Sequence, residues 1–96
     1  MKLYTWDPRK NEKLIEERGV SFETILWFIK SGGLLDTIDH PNPQKYPSQK
    51  FYVVQTTDYV YVVPFTETDM EIRLITIIQS RKALKKHTKR GEKREK

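Results

Sequence analysis

The side chains best suited to chemistry in this sequence are arginines and lysines towards its carboxyl end. Arg73 follows Glu71 by two residues in an apolar, β-branched run, and Arg81 comes soon after that run ends. Glu71 and Arg73 share one face if the run is a strand, because side chains there alternate with a period of two. Arginine binds phosphate oxygens through paired hydrogen bonds and keeps its charge. This set favours a site that holds phosphates.

The reaction that such a set suits is cleavage of RNA by its own 2′-hydroxyl. That reaction needs a base, an acid and cations that stabilise the charge developing on the phosphate. We predict Arg73 and Arg81 as the phosphate clamps, Glu71 as the nearby carboxylate and His40 as a group that can act as acid or base near neutral pH. The spacing leaves open that Glu71 and Arg73 form only a surface ion pair, which contributes little stability.

The positive charge is concentrated at one end of the chain. Residues 1–79 contain nine Lys and Arg against eleven Asp and Glu, a net charge of −2, whereas residues 80–96 contain nine against two, a net charge of +7. Basic clusters suit polyanions, since each neutralised phosphate releases condensed counterions. We therefore predict RNA contacts from Lys82, Lys85 and Lys86. A solvated tail that only aids solubility is the alternative.

A second group of candidate residues lies in the segment HPNPQKYPSQ, residues 40–49. It contains three prolines, which fix φ and remove backbone donors, so we predict a loop. Ten residues is long for a connection in a compact domain, and loops of this length are often functional. In addition to His40, this loop offers Lys45 and Tyr46 as RNA-binding side chains.

The predicted elements are those of an α+β domain, in the order β-α-α-β-β-β-β-α. Strands are predicted at residues 2–6, 34–39, 50–56, 59–66 and 71–79, and helices at 8–18, from Ser21 to the glycines at 32–33, and from Ser80 onwards. We expect a mainly antiparallel sheet with the two early helices packed on one face and a basic helix at the carboxyl end. The strand aromatics are predicted to pack across strands instead of stacking on bases; these are Tyr52, Tyr59, Tyr61 and Phe65.

Local signals define the two early helices. Asp7-Pro8 provides an N-cap followed by proline at the first helical position, and Gly19 can end that helix in the left-handed conformation. Ser21 is the predicted N-cap of the second helix, and Val20 and Ile25 are spaced as a hydrophobic staple. An apolar stripe with helical periodicity follows and must be buried; it consists of Phe22, Ile25, Leu26 and Ile29.

Composition excludes several classes of function. A length of 96 residues predicts one domain, which we place at 1–90, with a frayed basic tail at 91–96. Cysteine is absent, which excludes disulfides and thiolate chemistry. The two histidines, His40 and His87, are not spaced with carboxylates as metal ligands usually are, so we predict no metal and no other cofactor. No apolar run approaches the roughly 18 residues of a membrane span, which favours a cytoplasmic protein.

Both ends of the chain resemble one known family. WDPRKNEKLIEERGVSFETI, residues 6–25, resembles the opening signature of BrnT-type toxins, and IR at 72–73 with SRKA at 80–83 is similar to that family's closing strand and helix start. The resemblance implies a RelE-like fold and a metal-independent ribonuclease that inhibits translation and growth. It also implies a cognate antitoxin, usually of the ribbon-helix-helix type, through which operator DNA is bound. His87 stands where the family commonly has an acidic residue.

Two other classes of function are compatible with the same basic residues. A non-catalytic nucleic-acid-binding module would use the basic face without cutting RNA. A structural partner of an acidic protein would show complex formation that depends on salt, with no affinity for RNA of its own. A metal-free nuclease still cuts RNA in EDTA, whereas a binding module only changes its mobility.

Overall fold

The computed structural model describes residues 2–57 and 59–80 of the chain. In chain order the elements are β1 (Leu3–Thr5), α1 (Pro8–Arg18), α2 (Phe22–Phe28), a π-helical turn (Ile29–Gly33), β2 (Leu34–Asp39), β3 (Gln49–Gln55), β4 (Val60–Glu67), β5 (Glu71–Leu74) and β6 (Ile78–Gln79). Neither helix in this part of the chain is long and apolar enough to cross a membrane. The predicted carboxyl-terminal helix and the tail at 91–96 lie outside the described residues.

Both helices begin at their predicted signals, and α1 also ends at the predicted Gly19. The second helix was predicted to continue to the glycines at 32–33, but α2 ends at Phe28 and the π-helical turn covers the remaining residues. The Asp7 side chain accepts a hydrogen bond from the Arg9 N–H at 2.9 Å, and Gly19 ends α1 with a φ of 67°. The Ser21 hydroxyl oxygen accepts from the Thr24 N–H at 3.1 Å at the start of α2. Each cap satisfies a backbone group that the helix itself leaves unpaired.

The strands form a single mixed sheet in the order β1-β5-β4-β3-β2, with β6 paired to β4 beyond the end of β5. The β1–β5 pair is parallel, and all other pairs are antiparallel. The mainly antiparallel α+β sheet is thus confirmed. The predicted number of strands is wrong, since the described residues form six strands where five were expected.

Pro64 explains why the last predicted strand, residues 71–79, is divided into β5 and β6. Ile75 donates its N–H to the Pro64 carbonyl oxygen at 2.9 Å. In a hydrogen-bonded antiparallel pair the opposite residue returns this bond, but proline has no N–H to donate. Pairing resumes with Ile78 opposite Val62, one residue out of the register of β5. The extra residue forms a β-bulge.

The bulge changes which residues of this segment face the helices. Strict alternation from Ile72 and Leu74 would bury Ile78, but Ile77 is the fully buried residue and Ile78 is exposed. Arg73 and Ile78 consequently lie on the same face, although they are five positions apart and regular alternation would place them on opposite faces.

The hydrophobic core lies between the two helices and one face of the sheet. Phe22 and Ile25 are fully buried, as predicted, whereas Leu26 and Ile29 are only half-buried. Tyr52 and Phe65 stack across β3 and β4 with ring centroids 3.9 Å apart. The aromatic residues of the strands pack within this core or against it, as predicted. Other members of the core include Leu14, Val20, Val54, Tyr61, Val63, Ile72 and Leu74.

Candidate active site

The candidate site lies on the face of the sheet opposite the two helices. This face, which we call the second face, carries Phe51, Pro64, Thr66 and Arg73. Their neighbours along each strand belong to the core on the helix side, and side chains in a strand alternate between the two faces. Arg73 is exposed there, as a residue that meets RNA must be.

A row of polar residues crosses the second face from one strand to the next. Thr5 of β1 pairs with Arg73 of β5, Arg73 pairs with Thr66 of β4, and Thr66 pairs with Gln49 of β3. The His40 N–H donates to the Gln49 carbonyl oxygen at 3.2 Å, which extends the row to the end of β2. Neighbouring strands lie about 4.8 Å apart, so Arg73 and Gln49 are roughly 10 Å from each other along the row.

Arg73 lies beside a carboxylate but does not form an ion pair with it. The Glu71 Oε2 accepts a hydrogen bond from the Thr5 hydroxyl at 3.2 Å. The only ion pair between described residues joins Lys2 to Glu67. The alternative that Glu71 and Arg73 form a surface ion pair is therefore not supported in this part of the chain, and the guanidinium makes no hydrogen bond there. All five of its N–H donors are available to a ligand.

The predicted loop between β2 and β3 folds its functional candidates together over the second face. The His40 ring lies 4.4 Å from the Tyr46 ring and 5.4 Å from the Phe51 ring, measured between centroids. The Lys45 Nζ lies 5.6 Å from the centroid of Tyr46. The three loop residues chosen from sequence, His40, Lys45 and Tyr46, thus form one cluster at the end of the row that contains Arg73.

Asn42, which sequence reasoning did not select, sets the geometry of this loop. Its N–H donates to the His40 Nδ1 at 3.0 Å, and its carbonyl oxygen accepts from the Tyr46 N–H at 3.0 Å. Because Nδ1 accepts a hydrogen bond, the neutral ring carries its proton on Nε2. His40 is then arranged to donate a hydrogen bond from Nε2.

A cleft separates the loop from the sheet. It has a volume of about 230 Å³, and it is lined by Tyr46, Pro47, Ser48, Gln49 and Thr66. Thr66 is the direct neighbour of Arg73 in the sheet register. The cleft and the arginine therefore lie side by side on the second face.

Tyr52, on the helix side of the sheet, is unsuited to proton transfer near neutral pH. Burial raises the pKa of its hydroxyl, and the nearby Tyr4 and Glu67 act in the same direction. A phenol with a raised pKa stays protonated and neutral at physiological pH. The ionisable residues that remain candidates for proton transfer therefore lie on the second face.

A comparison with protein-family models gives the decisive relationship. Residues 6–87 match the model of the ribonuclease toxin BrnT of type II toxin-antitoxin systems. The chain belongs to the BrnT family. Searches of curated proteins and of solved structures gave no significant match.

Membership of the BrnT family confirms the predicted toxin and ribonuclease character of the chain, and a type II toxin has a cognate antitoxin as its partner. The match extends from Trp6 to His87, so it includes both segments from which the resemblance was first drawn. The roles assigned to single residues are not given by the family description and stay predictions.

The described part of this BrnT toxin brings together two of the three groups of candidates. Arg73 and Glu71 share a face with the loop cluster, which the separation of these segments in the sequence did not reveal. The third group lies outside the described residues, and it comprises Arg81, Lys82, Lys85 and Lys86. Thr5, Gln49 and Thr66 were missed because only the strand register identifies them.

Proposed function

We propose that the second face of this BrnT toxin cleaves RNA without a metal ion, by attack of a 2′-hydroxyl on the adjacent phosphate. The observation that supports this most is the position of Arg73, which has no partner among the described residues and lies directly beside Glu71 and the cleft. A guanidinium with free donors binds a phosphate well, and its charge stabilises the extra negative charge of the transition state.

In this proposal Glu71 is the base that removes the proton from the 2′-hydroxyl. Its Oε2 is held by the Thr5 hydroxyl, which orients the carboxylate and leaves Oε1 for the substrate. The attack on phosphorus forms a 2′,3′-cyclic phosphate and breaks the bond from phosphorus to the 5′-oxygen, which takes a proton from solvent water. His40 donates from Nε2 to a phosphate oxygen, and Lys45 adds positive charge beside it. Arg81 is proposed as the second clamp.

The test compares RNA cleavage by the full chain and by variants at Glu71 and Arg73. Arg73→Ala should lower the rate by about 10²- to 10³-fold, as the loss of a preorganised charge stabiliser typically does. Arg73→Lys should recover part of that loss, because it keeps the charge but not the planar fork. Glu71→Gln keeps an acceptor for the Thr5 hydroxyl but removes the base, so this variant should also cleave RNA slowly.

Control experiments distinguish a loss of catalysis from misfolding and from RNA cleavage by a contaminating nuclease. Arg9→Ala removes an exposed arginine from α1, on the other side of the sheet, and should cut RNA like the parent. An RNA with one 2′-deoxynucleotide should resist cleavage at that position, and mass spectrometry should find cyclic phosphate at the other cut ends. If folded Arg73→Ala and Glu71→Gln variants cut at the parental rate, this assignment is wrong.

One observation favours the second candidate function, a non-catalytic RNA-binding module. The hydrogen bond from Asn42 occupies the His40 Nδ1, so the described residues contain cations and aromatic rings but no evident general acid. Incubation with RNA in EDTA discriminates between the two functions. A shift in RNA mobility with intact RNA would support binding alone, whereas cut RNA supports the nuclease.

The RelE-like topology, the inhibition of translation and growth, and a ribbon-helix-helix antitoxin are parts of the same proposal. The antitoxin would carry the affinity for operator DNA. We expect the toxin-antitoxin complex and the antitoxin alone to retard operator DNA in a gel, and the isolated toxin not to do so. Specific retardation by the isolated toxin would contradict this division of roles.

The lysines of the basic segment are proposed to contact RNA phosphates. Affinity should then fall steeply with salt, and Lys85→Ala with Lys86→Ala should reduce the salt slope by roughly one phosphate contact for each lysine. An unchanged slope would assign these two lysines to solubility.

A further inference from the structure

The cleft beside Arg73 has dimensions that suit one flat ring, and the surface that lines it is mainly apolar. Its volume of about 230 Å³ is smaller than the roughly 300–1,000 Å³ of sites that hold drug-sized ligands. Loop residues that include Tyr46 line the cleft together with Gln49 and Thr66, which pair across β3 and β4. The cleft therefore combines an aromatic surface with groups that form directional hydrogen bonds.

The polar groups of the cleft are not used within the fold. The Gln49 side-chain amide and the Thr66 hydroxyl form no hydrogen bond among the described residues, and Tyr46 is 41% exposed. Both polar residues are half-buried, and no polar side-chain atom among the described residues is buried without a partner, so water can satisfy these groups until a ligand replaces it. An amide presents one donor and one acceptor side by side, which is what the edge of a nucleobase also presents.

We propose that this cleft binds one unpaired nucleobase of the RNA, next to the phosphate held at Arg73, and that Gln49 reads its edge. The proposal rests on the proposed ribonuclease function. Tyr46 stacks on the face of the base, and stacking of this kind tolerates any base. Gln49 and Thr66 bond to the base edge, which makes Gln49 the residue that discriminates among bases.

The sheet register supports a nucleotide as the occupant. Thr66 lines the cleft and pairs directly with Arg73, so the base site and the phosphate site are one strand spacing apart, about 5 Å. A base and its phosphate are joined through one ribose, and a nucleotide can therefore occupy both sites at once. Pro47 restricts the loop that carries Tyr46, which lowers the entropy lost on binding.

Exchanging the amide for a carboxylate changes which base the cleft should prefer. Gln49→Glu has acceptors only, and a carboxylate pairs best with two adjacent donors. Guanine alone offers two adjacent donors, N1–H and N2–H, on its Watson–Crick edge. We expect Gln49→Glu to raise the preference for guanine over the other bases by about tenfold relative to the parent, which corresponds to one good hydrogen-bonded contact.

The experiment measures binding of short RNAs that cannot be cleaved. Full-length toxin, freed of its antitoxin, is titrated with fluorescent 2′-O-methyl tetranucleotides in which each position in turn carries all four bases. Tyr46→Ala should lower the affinity for the tetranucleotides by about tenfold, whichever of the four bases stands at the position that enters the cleft. Gln49→Glu should change the ratio of affinities at that same position. Gln79→Glu introduces the same charge at an exposed residue of β6 and should leave the ratios as in the parent.

The outcomes separate this inference from the proposed function. Suppose that the toxin cuts RNA through Arg73, but that Gln49→Glu changes the ratios of base affinities no more than Gln79→Glu does. The proposed base site is then wrong, and the ribonuclease function stands. If the toxin cuts no RNA but Gln49→Glu shifts the preference towards guanine, the base site stands and the chemistry is wrong. Equal binding of all four bases by the parent and by Gln49→Glu at every position would also overturn the base site.

Discussion

The Arg18 guanidinium donates a hydrogen bond to the Ile77 carbonyl oxygen at 2.6 Å, between residues 59 positions apart in the chain. Arg18 is the last residue of α1, and Ile77 lies in the bulged segment between β5 and β6. The bond therefore connects the helical layer to the point where the sheet ladder is interrupted. It satisfies a carbonyl in a segment whose strand pairing is incomplete.

We expect Arg18→Ala to lower the free energy of unfolding by about 1.5 kcal/mol, the lower range for a hydrogen bond to a charged group, since the contact is only partly buried. Urea denaturation measures this change. Arg9→Ala removes an exposed arginine from the first turn of the same helix and should change stability by less than about 0.5 kcal/mol. Equal stability of the two variants would show that the Ile77 contact contributes nothing.

Asn11 joins α1 to the start of α2. It is 7% exposed, its Oδ1 accepts from the Phe22 N–H at 2.8 Å, and its Nδ2 donates to the Glu23 Oε1 at 2.6 Å. Asn11→Ala should cost roughly 1–3 kcal/mol, because the buried Phe22 N–H loses its acceptor. Thermal unfolding measures the loss. Glu23→Gln keeps the acceptor for Asn11 and should be milder; a larger loss in Glu23→Gln than in Asn11→Ala would contradict this account.

The Asp36 side chain accepts a hydrogen bond from a backbone N–H at the outer edge of the sheet. The bond from His40 to Gln49 marks a hydrogen-bonded pair of β2 and β3, so the backbone groups of Thr37 and Asp39 point away from β3. The Asp36 Oδ1 accepts from the Thr37 N–H at 2.8 Å. In the described part of the chain β2 has a strand on one side only, and a charged residue on such an edge opposes pairing with other chains.

Asp36→Ala should therefore promote self-association. The variant frees the Thr37 N–H beside the exposed Leu35 and Ile38. Asp39→Ala removes the same charge from the same strand without freeing a backbone donor, and it is the matched control. Light scattering across a concentration series should show larger particles for Asp36→Ala than for Asp39→Ala. If the two variants associate equally, charge alone protects this edge.

Lys2 makes the stability of the fold sensitive to acid through Glu67. Its Nζ donates to the Glu67 Oε2 at 2.6 Å, and this hydrogen bond lowers the pKa of that carboxyl below its ordinary value. The unfolded state binds the proton more readily. The stabilisation is thus complete above the ordinary glutamate pKa and is lost as pH falls through the lowered value.

We expect Lys2→Met to return the Glu67 pKa towards its ordinary value, as measured by NMR titration of the carboxyl carbon. Lys50→Met removes a weaker influence of charge on the same carboxyl and should leave most of the depression in place. High salt should reduce the parental depression, since both side chains of the pair are partly exposed. A Glu67 pKa that is unchanged in Lys2→Met would refute the pairing.

The helices were predictable because their limits are local. Asp7-Pro8, Gly19 and Ser21 act within a few residues of the backbone groups they affect, and both helices start where these residues predict. The strands were predicted to within about one or two residues, apart from the division of 71–79. The signal for that division was in the sequence, in Pro64, but it acts on Ile75 across the sheet.

The candidate site was only partly predictable, because its composition depends on strand register. His40, Lys45 and Tyr46 share a loop, so their proximity followed from sequence. The row through Thr66 and Gln49 depends on pairing between strands that are distant in the chain, and the parallel contact of β1 with β5 adds Thr5 to it. No local pattern specifies these long-range pairings.

The bulge between β5 and β6 lets this segment lose one residue without exchanging the two faces of the sheet. Removing one residue between Ile75 and Ile78 would leave Ile78 opposite Val62 and place it an even number of positions after Arg73, so both would stay on the second face. In a strand without a bulge, the same deletion would turn every residue beyond it to the opposite face. A relative that is one residue shorter here should therefore have an uninterrupted strand and the same side chains on the second face.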